Sequence, residues 1–181
     1  MAAVDPAVSR RALRRALDAI YDAAAALAAV FMLLLLVMVL LSILGRQLHF
    51  NLPGLDAYAG YMMAATGFLA LAHTLKKGEH IRVTLLIGAL KGGWKRGFEL
   101  WALFAASLLA LLAAFYSCKL AWQSHAFHDI STGNDATPLW LPQLTMALGT
   151  VVLAIAFIDE FVLELSGRRI VVTTEEATHY E

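Results

Sequence analysis

The chain has 181 residues, of which 60% are hydrophobic and 15% charged, with 14 basic and 14 acidic side chains. That composition leaves no room for a separate soluble domain beside a membrane body, and the zero net charge carries no footprint of a nucleic-acid partner. A single cysteine, Cys118, excludes an intrachain disulfide and any cysteine-cluster metal site, and it reads as a buried, inert thiol.

Residues 1–22 read as a helix lying in the membrane interface. Asp5-Pro6 is a start signal, with Asp as N-cap and Pro in the first turn. Leu13, Leu17, Ile20 and Ala24 fall on one face, while Arg10, Arg11, Arg14, Arg15 and Asp18 occupy the rest, with Arg14 and Asp18 an i,i+4 pair. Ser9-Arg10-Arg11-Ala12-Leu13 has the outline of a twin-arginine export signal. The apolar run after it is too long for one, and no small-x-small cleavage site closes it.

The first charge-free stretch is Ala23–Gly45, 23 residues without Asp, Glu, Lys or Arg. A helix rises ~1.5 Å per residue, so ~20 such residues cross the ~30 Å hydrocarbon core. There every backbone polar group must be satisfied within the segment, so the stretch is expected to be helical. A short connection with Asn51-Leu52-Pro53-Gly54 turns the chain into a second stretch, Ala57–Leu75. Gly60, Ala64 and Gly67 share one face of it, a stripe that lets helix backbones approach closely within the subunit or against a partner.

The segment Lys76–Glu99 is too short in its apolar middle, Ile81–Leu90, to span. Glycines bracket that middle and lysines flank it, which suits a short helix at the membrane surface. A third charge-free stretch follows at Leu100–Cys118, with Trp94 and Trp101 near one end and Trp122 near the other as interfacial belts. Lys119 can snorkel outward from that end. The polar connection Lys119–Trp140 then leads to the fourth stretch, Ala136–Ile158, with the helix itself over 138–158 and Pro138 and Pro142 near its start. Residues 23–163 thus form a four-helix membrane domain and 164–181 a tail. Of the 14 Lys and Arg residues, twelve fall on one side of these spans and two on the other. The positive-inside rule makes both termini cytoplasmic. The fold class is an all-α integral membrane protein with four transmembrane helices.

Chemistry-bearing residues are sparse. His73 is the only titratable His, Asp, Glu, Lys or Arg side chain within the four stretches, three residues before Lys76, where it reads as a hydrogen-bonded histidine at a helix end. A b-haem anchor subunit of a redox complex needs facing histidines at depth, and His49, His80, His125 and His128 lie in connections. His125-x-x-His128-Asp129 has metal-ligand character but reads as a solvated loop. No glycine-rich phosphate loop and no Ser-His-Asp cluster is legible, so neither enzymatic activity nor a cofactor is expected. Broken helices and internal repeats, the signs of a secondary transporter, are also missing. A redox anchor and a stand-alone four-helix scaffold or assembly factor remain as alternatives.

Several runs together resemble a known family. They are Leu44-Gly45-Arg46, the Pro53-Gly54 turn, Asp56-Ala57-Tyr58-Ala59, the small-residue helix, and Lys77-Gly78-Glu79-His80-Ile81-Arg82-Val83. Ser131-Thr132-Gly133 and Pro138-Leu139-Trp140-Leu141-Pro142-Gln143 add a second sign before the fourth span. These resemble the small membrane subunit, the Q subunit, of tripartite ATP-independent periplasmic (TRAP) transporters. One departure is that Asp56 is followed by Ala57 where many members carry an acidic pair. The resemblance implies a bacterial or archaeal inner-membrane complex. In it a periplasmic solute-binding protein captures a solute, usually an organic acid, and a large membrane subunit carries it inward coupled to sodium. This chain would then be the non-catalytic scaffold paired with that subunit. Candidate partner contacts are Asp56, Gly60, Ala64, Gly67, Glu79, His80, Arg82, Pro138 and Trp140.

Overall fold

The first helix, α1 (Pro6–Gln47), runs unbroken for 42 residues. Its described part opens at Pro6, and residues 6–22 continue into the first charge-free stretch as one rod of about 63 Å. No glycine or proline interrupts residues 7–44, so nothing in the sequence bends the chain there. Three further helices follow: α2 (Leu55–Lys76), α3 (Gly93–Ala126) and α4 (Trp140–Leu165). This computed structural model describes residues 6–50, 53–77 and 93–166, with side chains over 14–50, 53–77 and 96–166. The expected surface helix around Ile81–Leu90 and the tail lie outside the described residues.

Among the described residues the helices stand in a row. α1 packs on α2, α2 on α4, and α4 on α3, with only a brief meeting of α1 and α4. Each edge helix therefore contributes a single narrow stripe. On α1 the buried residues are Tyr21, Ala24, Ala28 and Gly45. On α3 they are Leu103, Ser107, Ala110, Ala114, Ser117, Ala121 and Ser124, alternating at four and three residues as in a coiled-coil seam. Most buried apolar residues are alanine, so the helices approach closely and gain van der Waals contact where lipid offers no hydrophobic drive.

Much of what lies off those stripes in the charge-free stretches is apolar and exposed. Met32, Leu33, Leu36, Val37 and Leu40 on α1, and Leu109, Phe115 and Trp122 on α3, face outward. A soluble monomer rarely shows patches of this extent, whereas a lipid-facing helix requires them. Trp101 and Trp122 are both exposed on α3, and 21 residues of helix separate them by about 32 Å, close to the hydrocarbon thickness.

Three helices, α1 over Arg14–Gln47, α3 over Arg96–Ala126 and α4, are long and apolar enough to cross a membrane. α2 is long enough at 22 residues but less apolar, since Tyr58, Tyr61, Thr66, His73 and Thr74 dilute it. It lies between α1 and α4, and a helix covered by two neighbours need not carry a lipid-facing surface all round. Two smaller expectations also change. Cys118 is exposed, because α3 buries only one stripe and position 118 falls off it. In the first helix Leu17 and Ala24 do turn inward, but Ile20 is exposed and Tyr21 takes the buried place.

Candidate functional site

The polar residues gather at the two ends of α2, and its two faces differ in what covers them. At the terminal end, Lys76 closes the helix. Its Nζ lies 3.2 Å from Asp18 of α1, 3.1 Å from Asp159 of α4 and 4.7 Å above the ring of Tyr21. One ammonium thus joins three helices, and Asp18 reaches across to it. One turn earlier, His73 stands 3.6 Å from Asp22, too far for a hydrogen bond, and pairs with it as an ion when protonated. Tyr21 is buried among Ala72, Leu75 and Ala156, and its hydroxyl finds no hydrogen-bond partner among the described residues. Asp18 and Asp22 precede the charge-free run of α1, Lys76 closes α2 and Asp159 follows the charge-free run of α4, so the cluster is a clamp at one edge of the apolar middle.

At the opposite, connection end, the turn between α1 and α2 meets the connection between α3 and α4. Asp135 is the hub. The hydroxyl of Tyr61 donates to one carboxylate oxygen at 2.9 Å and that of Ser131 to the other at 2.8 Å. Thr137 lies 3.1 Å from the Tyr58 hydroxyl, and the Tyr58 and Tyr61 rings meet edge to face at 6.0 Å. Partial desolvation pushes the Asp135 carboxyl up. Hydrogen bonds from Thr137, Ser131, Tyr61 and its own backbone outweigh it and hold the group at about 2. The Thr137 hydroxyl therefore serves both Asp135 and Tyr58.

The backbone supports this hub. Ser131 N–H donates to Thr137 O at 2.8 Å and Leu139 N–H to Asp129 O at 3.0 Å, around an isolated antiparallel bridge between Ile130 and Pro138. Gly54, at φ 87°, lies against Asp135. A Cβ there would sit 2.9 Å from the Asp135 Cβ, so both conformation and space require glycine. Beside the hub, α1, α2 and the α3–α4 connection enclose a cavity of about 740 Å³ lined by Arg46, His49, Phe50, Asp56 and Asn134 among others.

The faces of α2 divide more sharply. Toward α4, the backbone of Phe68 abuts Gly149, where an added Cβ would lie 2.5 Å from the Phe68 carbonyl. Away from it, Asp56, Gly60, Ala64 and Gly67 form an exposed stripe. A Cβ built on Gly60 or Gly67 meets nothing within 4 Å. Of the two uses the sequence allows for this stripe, packing inside the subunit is not the one adopted among the described residues.

The other singled-out residues separate by region. Asp56 accepts a hydrogen bond from Ser42 of α1 at 3.2 Å. Pro138 joins the bridge, and Trp140 meets His125 edge to face at 5.4 Å. Glu79, His80 and Arg82 lie outside the described residues. His73 sits at the terminal end of α2 and His125 at the connection end of α3, so the two cannot face one another across a haem. Among the described residues no three His, Cys, Asp or Glu side chains gather as a metal set. Sequence reading missed Lys76, Asp159, Asp135 and Gly149. Only the Tyr58/Tyr61 pair, one turn apart beside the Pro-Gly turn, hinted at a polar anchor.

A family model described as tripartite ATP-independent periplasmic transporters, DctQ component, matches residues 35–167, nearly three quarters of the chain. No curated protein gives a significant match to the sequence.

Proposed function

Because the chain belongs to the DctQ family, the small membrane component of TRAP transporters, we propose that it is the non-catalytic scaffold of a three-part importer. In this reading a large membrane subunit carries the solute, a small organic acid, with sodium, and a periplasmic binding protein delivers it. The protein is membrane-embedded. Our proposal adds that α2 is the fourth span, since its 22 residues reach about 33 Å, and that residues 23–163 form one membrane domain. It further adds an inner-membrane location with both termini cytoplasmic, which the twelve-to-two partition of basic residues supports. The first turns of α1 and the segment around Ile81–Leu90 then lie at the cytoplasmic surface.

The observation that carries the scaffold reading is the exposed stripe Asp56, Gly60, Ala64 and Gly67 on a helix otherwise covered by its neighbours. Small residues facing lipid gain nothing, whereas against another helix they permit close approach. We assign this stripe to the large subunit and the Pro138/Trp140 connection to the binding protein. Glu79, His80 and Arg82 would orient the cytoplasmic segment, with Arg82 acting through a forked set of donors that lysine cannot copy.

Deleting the chain is expected to abolish solute uptake while purified binding protein keeps its dissociation constant. Undiminished uptake without the chain would refute the scaffold role. Orientation is read by single cysteines in a Cys118→Ala background. In whole cells, impermeant reagent should reach position 134 and spare position 91, and the reverse pattern would invert the topology.

A further inference from the structure

We draw no further inference here: the strongest candidate, the cavity of about 740 Å³ that Arg46, His49 and Asn134 line at the connection end, between α1, α2 and the α3–α4 connection, carries nothing, because it shares Asp56 with the stripe already assigned and nothing in the structure shows what fills it.

Discussion

The two faces of α2 carry nearly the same kind of residue and have opposite fates. Toward α1 and α4, Ala65, Leu69 and Ala72 are buried, and Phe68 lies against Gly149. Away from both neighbours, Gly60, Ala64 and Gly67 are bare. Small residues in a membrane helix mark where a backbone can come close. They do not mark whose backbone it will be. The covered face holds the chain itself together, and the bare face is the one the proposed scaffold role would use.

Overfilling the covered face should cause the largest damage. Gly149→Val places side-chain atoms where even a Cβ would be 2.5 Å from a backbone carbonyl that cannot rotate away. We expect a loss of about 3 kcal/mol or more, since overpacking against backbone forces two helices apart. Thermal unfolding in detergent should show a markedly lower midpoint and a reduced membrane level. A Gly149→Val protein as stable as the parent would mean that the α2–α4 seam is not the core.

Removing the clamp at the terminal end comes second. Lys76→Met leaves Asp159, only 16% exposed, beside Asp18 without the shared cation. About 2 kcal/mol should be lost, because a partly buried carboxylate without its partner keeps its desolvation cost. Asp159→Asn on the Lys76→Met background should restore part of it, and no recovery would show that the pair contributes through packing alone.

Filling the bare face should be nearly silent in the isolated chain. Gly60→Leu with Gly67→Leu meets open space on both turns, and leucine favours a helix by roughly 0.5–1 kcal/mol over glycine. Stability should hold or rise slightly, while co-purification with the large subunit falls. Unchanged recovery of the complex would move the partner surface to another helix.

The smallest effect belongs to Asp135. Its folded carboxyl, held at about 2 against an ordinary 3.8, contributes stability that is complete above about pH 4 and fades as pH falls toward 2. Asp135→Asn should remove that acid dependence and loosen the 127–139 connection. Faster amide exchange at Ser131 and Leu139, with the helices unaffected, would be its signature. A parent protein whose connection is equally protected at pH 2.5 and pH 6 would show that the charge is immaterial.

Much of the molecule was legible in the chain. Long stretches without charge dictate helices, since a bilayer offers no partner for loose backbone groups. Pro53-Gly54 turns the chain into α2, and the runs around Asp56 and Pro138 carry the family resemblance that the match over residues 35–167 bears out. What could not be read was which way each helix turns. In water a helix shows its buried face by contrast with its polar one; in lipid both faces are apolar and the contrast vanishes. Hence Ile20 and Tyr21 exchanged places, Cys118 came out exposed, and a glycine stripe left open between two uses proved bare.

The row α1–α2–α4–α3 was likewise decided only in three dimensions, and with it the less apolar character that α2 can carry between two neighbours. So were the partners of Lys76 and Asp135, because Lys76 is 83 residues from Asp159 and Tyr61 is 74 from Asp135. Composition and charge spacing determine that these segments are helices and which end of each is basic, since those follow from local backbone hydrogen bonding and from the cost of a charge in hydrocarbon. The choice of neighbour depends on how closely two particular backbones can pack, a property of paired surfaces that no single segment contains.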